Sequence, residues 1–181
     1  MRLESQIETD GGVNPIETNR LVIRPLTLED APFILELVND PSYIQNIGDR
    51  GLRTIGDAEA YIRSGPMESH KAHGFGLDCV NKKTSGRAMG ICGLLKRPFL
   101  DCPDLGYAFL PDFRSKGYAR EAVRAVLDRA AEKPGLNCIA AIVNPDNESS
   151  IRLLTDVGFG YKKRIRPDKD KKEVRLYLRR L

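Results

Sequence analysis

The most constraining stretch of the chain is a strand, a short basic turn and the longest helical pattern, in that order, over residues 105–133. Leu105–Leu110 reads as a strand, and Pro111–Lys116 as its loop. From Gly117 to Lys133, Ala119, Ala122, Val123, Val126, Leu127 and Ala130 recur at helical spacing until Pro134-Gly135 ends the run. A helix start leaves four backbone N–H groups without intrahelical partners, and with the macrodipole they form a ready anion site. Gly117 lets the backbone approach a phosphate closely, Ala119 is nearly as small, and Arg114, Lys116 and Arg120 add positive charge. The G-x-x-x-x-G-K-[ST] loop of nucleotide triphosphatases and the G-x-G-x-x-G dinucleotide fingerprint are both absent. Taken alone, the segment fits a phosphate site and a plain basic helix start equally.

Other elements follow from periodicity. Residues 1–16 are polar and aperiodic, with Gly11-Gly12, and are expected to form a flexible arm. Leu21–Leu26 alternates as a strand; Thr27 caps a helix whose apolar face is Phe33, Ile34, Leu37 and Val38, stopped at Asn39-Asp40-Pro41. Residues 42–55 are ambiguous, and a second helix is expected from Gly56 or Asp57 to Gly65-Pro66. Gly74–Val80, Ala88–Leu95 and Leu105–Leu110 read as an antiparallel meander. Cys138–Val143 is the continuous apolar run of a strand covered on both faces. A helix from Asn147 or Glu148 to Val157 and a hairpin of Phe159–Ile165 with Val174–Arg180 complete a single α/β domain over residues 17–181, with a mixed, mostly antiparallel sheet flanked by helices.

Composition narrows the function classes. With 181 residues, 41% hydrophobic and 30% charged, the chain suits one soluble domain. No apolar run approaches the ~20 residues of a membrane-spanning helix, and no signal-like stretch opens it, so a cytoplasmic protein is expected. The four cysteines form no C-x-x-C pair; Cys79, Cys92 and Cys138 sit in apolar runs and read as buried small hydrophobes. His70 and His73 form H-x-x-H with no acidic partner pattern, which reads as a solvated loop and not a metal site. The net charge of +4 is concentrated near the end, in the final hairpin. That excess suits a solvated hairpin, a polyanionic cofactor or a ribosome-like partner; no aromatic interleaving suggests direct nucleic-acid binding.

Three strings together resemble a known family. Arg114-Ser115-Lys116-Gly117-Tyr118-Ala119 matches the R/Q-x-x-G-x-G/A signature of the GNAT N-acetyltransferases. Thr18-Asn19-Arg20-Leu21-Val22-Ile23-Arg24 resembles the first strand of the RimJ/RimL-type branch, the ribosomal-protein N-terminal acetyltransferases. Asn147-x-x-Ser150, seven residues and Gly158-Phe159 resemble that branch's second motif. The resemblance implies a sheet splayed between Leu105–Leu110 and Cys138–Val143, with acetyl-CoA in the gap. It places the pyrophosphate on the amides of Arg114, Ser115, Lys116, Gly117, Tyr118 and Ala119 beside Arg120. It assigns the pantetheine arm and thioester to backbone groups of Phe109 and Leu110, with Asn144 and Asn147 as further contacts; Asn147 equally suits a helix N-cap. A Leu110 N–H would face the developing oxyanion.

For the chemistry, the resemblance puts Asp104 where relatives carry a glutamate base and Ser150 where the RimJ/RimL-type branch suggests an acid. The tyrosine that many relatives use is replaced by Leu154. Asp104 also reads as a solvated turn acid, and Ser150 as a helical serine bonded to its own backbone. Tyr107 and Tyr118 read mainly as packing residues. The expected reaction is direct acetyl transfer to a primary amine, most readily a protein N-terminus, without a metal. A small-molecule amine such as a polyamine, amino acid or antibiotic, and a non-catalytic acyl-CoA-binding module, are the alternatives. The protein is expected to be a monomer or homodimer.

Overall fold

The computed structural model describes residues 13–169 and 171–181. Eight strands form one sheet in the order β1-β2-β3-β4-β5-β6-β8-β7. They are β1 (Ile16–Glu17), β2 (Leu21–Pro25), β3 (Leu77–Lys82), β4 (Ala88–Leu95), β5 (Asp104–Phe109), β6 (Cys138–Val143), β7 (Gly160–Ile165) and β8 (Val174–Arg180). All neighbouring pairs are antiparallel except β5 with β6. Residues 1–12 of the expected arm lie outside the described residues; Ile16, its last residue, pairs with Ile23.

Helices cover both faces. One core lies between the sheet and α5 (Tyr118–Ala131) with α6 (Glu148–Asp156), and includes Val123, Leu127, Ile139 and Leu154. The opposite core lies under α1 (Ala31–Val38), α2 (Pro41–Asn46) and α3 (Ile55–Ile62), and includes Ile34, Leu37, Tyr43, Ala58, Cys79 and Leu110. The ambiguous stretch after Pro41 thus resolves into α2, whose first turn is capped by Asp40 accepting the N–H groups of Ser42 and Tyr43.

One expected boundary is corrected. The helix does not stop at Gly65-Pro66; a π-helical turn over Arg63–Met67 absorbs the proline and leads into α4 (Glu68–His73). Strand β3 therefore starts at Leu77, after Gly74 closes α4 in the left-handed conformation.

The cysteine expectation holds for Cys79 and Cys92 and fails for Cys138. Cys79 and Cys92 are buried, and burial pushes both thiols up, so neither is a thiolate. Cys138 is not a free buried residue: it forms a disulfide with Cys102, with Cα atoms 5.7 Å apart. The parallel starts of β5 and β6 bring together two cysteines 36 residues apart, which periodicity does not reveal.

Candidate active site: a fork between two strands

Strands β5 and β6 share a single Cα pair, Asp104 with Ala140, and then separate. The closed end of this fork is built by Asp104. Its carboxylate accepts the Ile142 N–H at 3.2 Å, satisfying a donor that the departing strand no longer reaches. It is also bonded to Arg97 Nε, and its side chain is 2% exposed. Burial raises the Asp104 pKa, against the opposing pull of Arg97 and Ile142. Asp104 is therefore a buried wedge in the crotch of the fork and not a solvated turn acid.

At the open end, β5 runs into a 3₁₀ turn over Pro111–Phe113 and then α5. Ser115 and Gly117 both take positive φ, 58° and 79°. The alternation folds the loop into a concave row of amides. The first helical bond runs from the Glu121 N–H to the Gly117 carbonyl at 3.1 Å, and no side chain caps α5. The N–H groups of Tyr118, Ala119 and Arg120 are thus left at an open helix N-terminus, which fits an anionic group. The left-handed φ of Gly117 favours glycine, and a Cβ there would lie 3.3 Å from an Arg20 guanidinium nitrogen, which would have to shift slightly.

The basic side chains of the loop mostly shape it. Arg114 Nε donates to the Phe109 carbonyl at 2.8 Å and its Nη2 to Asp40 at 2.5 Å. Lys116 Nζ donates to the Asp112 carbonyl at 2.7 Å, and Arg120 pairs with Asp156. Tyr118 meets Phe113 edge-on, and the Arg20 guanidinium lies over the Tyr118 ring, 4.5 Å from its centre.

The expected free N–H at Leu110 is not present. Leu110 N–H donates to Met89 O at 2.9 Å, and its carbonyl accepts Phe113 N–H at 3.0 Å. Alternate residues of an antiparallel strand direct their backbone to opposite neighbours, so Phe109 is the one whose N–H faces the gap.

Across the gap, Asn147 caps α6 by accepting the Ser150 N–H at 3.1 Å. Asn144 Oδ1 accepts the Asp146 N–H at 3.1 Å, and its Nδ2 donates to the Gln45 carbonyl at 3.4 Å. The Ser150 hydroxyl lies 2.5 Å from the Tyr107 hydroxyl, which bridges β5 to α6. Burial pushes the Tyr107 phenol up to about 12, so it stays protonated at any ordinary pH.

Glu121, which the sequence reading did not single out as a site residue, completes the frame. Glu121 accepts Thr18 Oγ1 at 2.6 Å, the Arg20 N–H at 3.0 Å and Arg20 Nε at 2.6 Å, while Arg20 Nη1 donates to the Lys116 carbonyl at 3.0 Å. The two strings Thr18–Arg24 and Arg114–Ala119 are therefore physically joined, and their joint presence was the available signal. The H-x-x-H expectation is corrected as well. His70 lies on α4 with Nε2 2.8 Å from Asp78 Oδ1, a partner supplied by β3, and its Nδ1 is buried without one. No three His, Cys, Asp or Glu side chains converge as a metal site among the described residues.

A family model described as an acetyltransferase (GNAT) domain matches residues 20–160. The protein YkkB of Bacillus subtilis is 28% identical over 166 residues, covering 90% of this chain and 94% of that protein. The N-acetyltransferase YoaA, also of Bacillus subtilis, is 27% identical over 146 residues, covering 80% and 81%. Among solved structures, RimL, the ribosomal L7/L12 α-N-protein acetyltransferase in complex with coenzyme A, superposes with a TM-score of 0.80 at 14% identity, covering 93% of this chain and 98% of that one. At that identity the likeness shows the fold.

Proposed function

Because this chain belongs to the GNAT acetyltransferase family, we propose that its β5–β6 fork transfers acetyl from acetyl-CoA to a primary amine, with a protein N-terminal α-amine as the favoured acceptor. The observation that carries this reading is the end of β5–β6 pairing after Asp104 and Ala140, beneath an uncapped helix terminus. When bound, acetyl-CoA supplies an activated thioester acetyl group and a thiol leaving group.

This chain's residues have distinct tasks in the proposal. The amides from Ser115 to Arg120 hold the pyrophosphate, and Arg114, Lys116 and Arg20 keep those amides in place. The Phe109 N–H points at the carbonyl to be attacked, as a fixed donor for developing negative charge. Asn144 and Asn147 flank the pantetheine arm. The Ser150 hydroxyl, backed by the Tyr107 phenol, delivers a proton to the departing sulfur. Asp104 receives the amine proton through water, since Arg97 and the Ile142 N–H occupy its carboxylate directly.

The chemistry favours an α-amine. Such an amine has a pKa of about 7.7–8.0 and is substantially neutral near pH 8, whereas a lysine at about 10.4 needs a strong base close by. The carboxylate of the fork is buried and paired, which suits the easier task. The RimL likeness, a protein acting on a ribosomal-protein α-amine, supports the same acceptor class.

The test follows CoA release with a thiol reagent across N-terminal peptides and small amines, together with melting in the presence and absence of acetyl-CoA. At a hundred times its Kd the donor should add about 2.7 kcal/mol of stability. No thermal shift would sink the cofactor assignment. A shift with no turnover on any amine would overturn the catalytic one.

A further inference from the structure

Helix α2 is pinned across the open end of the fork. Its capping residue Asp40 is held by Arg114, which also holds the last carbonyl of β5 at Phe109. Its Gln45 carbonyl is held by Asn144, just past β6. The return segment from Ile47 to Thr54 continues from this pinned helix, with Leu52 packed on the face of the sheet opposite α5.

Charge along this crossbar is almost fully paired. Asp40 is committed to Arg114, and Asp49 to Arg53 Nη2 at 2.5 Å. Asp57 accepts the N–H groups of Arg53 and Thr54 at 2.9 and 2.8 Å, and Asp104 is committed to Arg97. Arg50 is the exception. Its Nε donates to the Tyr43 hydroxyl at 3.3 Å, and among the described residues no carboxylate pairs with it. Its other neighbour is the phenol of Tyr61, which also feels Arg97 from the crotch of the fork. Two phenols and two guanidinium groups thus cluster on the sheet face opposite α5, and only one of those guanidinium groups has an anion.

We propose that Arg50 is the anchor for a carboxylate on the acceptor, so that the substrate class is a primary amine carrying a carboxylate a few bonds from the reacting nitrogen. This rests on the amine-acetylation reading above. A guanidinium presents a planar fork of donors that matches a carboxylate bidentately. The chemistry is met by the α-carboxylate of a free amino acid or by an acidic side chain near a peptide N-terminus. It disfavours polyamines, whose second ammonium would meet the unpaired Arg50 with like charge.

The full-length protein is assayed by CoA release with L-amino acids against their amides, with amide-capped Ser-Asp-Ala against Ser-Asn-Ala, and with spermidine. The expected result is a kcat/KM at least about tenfold higher for one carboxylate series than for its neutral partner, the value of a charge-assisted hydrogen bond. Which series shows it identifies the source of the carboxylate. Arg50→Gln should bring that ratio close to one through KM, Arg50→Lys should keep part of it, and both should keep the acetyl-CoA melting shift. Equal rates within each pair, spermidine as the best acceptor, or a ratio that persists in Arg50→Gln would overturn the proposal. If no amine turns over, acetylation itself fails, and binding of N-acetyl amino acids against their amides still judges Arg50. Binding of the acids that Arg50→Gln abolishes supports the anchor; equal binding by both proteins rejects it.

Discussion

Arg20 and Glu121 are joined by two hydrogen bonds, from the Arg20 N–H at 3.0 Å and from Nε at 2.6 Å, across 101 residues of sequence. The pair fastens the start of β2 to the first turn of α5, next to the Arg114–Ala119 loop. Glu121→Ala should weaken acetyl-CoA binding about tenfold with little change in kcat, because the loop loses its brace while the reacting groups stay in place. Titration calorimetry would check this, and unchanged affinity would reject the brace.

The same residue gives a pH prediction. Burial alone would raise the Glu121 carboxyl, but its bonds to Thr18 and Arg20 outweigh that and hold it below the usual value. A carboxyl depressed in the folded state adds stability above its unfolded pKa and loses it as pH falls through the folded one. The Tm difference between wild type and Glu121→Gln should thus be full at pH 6 and shrink steadily below about pH 4. A gap that stays constant over that range contradicts the assignment.

Tyr107 and Ser150 should act as one unit. Tyr107→Phe and Ser150→Ala should each lower kcat while leaving KM for acetyl-CoA within about twofold, and the double variant should be little worse than the poorer single one. Fully multiplicative losses would separate the two hydroxyls.

Asp104 allows its structural and chemical tasks to be distinguished. Asp104→Ala strands the Ile142 N–H and leaves Arg97 without its anion, at a cost of about 3 kcal/mol in chemical denaturation. Asp104→Asn keeps an acceptor for Ile142 and should cost less, yet lose activity if the carboxylate takes the amine proton. Full activity in Asp104→Asn would reject the base.

Closing a 36-residue loop, the Cys102–Cys138 bond should contribute about 3–4 kcal/mol by restricting the unfolded chain. Reduction, or Cys102→Ser with Cys138→Ser, should lower the midpoint of unfolding to the same extent. An identical midpoint before and after reduction would show that the bond restrains nothing.

The parts of the fold that depend on local pattern were legible. Cys138–Val143 is a strand with the limits its apolar run suggests, and α5 and α6 end within two residues of their expected bounds. The Gly117 loop was legible because glycine and a helix start leave a local signature. The contacts that make the site were not, because each joins residues remote in sequence: Arg114 with Asp40, Arg20 with Glu121, Cys102 with Cys138. The free Leu110 N–H was misjudged because strand membership does not say which neighbour a given residue faces; the Met89 register decides that. His70 looked unpartnered because Asp78 reaches it only after the α4–β3 turn.

The closed end of the fork behaves as the pivot of a pair of tongs. One ladder pair, the Asp104 wedge and the Cys102–Cys138 bond all sit there, about 10 Å of strand away from Val143 at the jaws. At that lever length a rotation of about 6° at the pivot moves the jaws by about 1 Å, the scale on which reacting groups lose alignment. The gauge of the opening is therefore set at its closed end, and changes of thickness at Cys102, Asp104 or Ala140 should retune it from below.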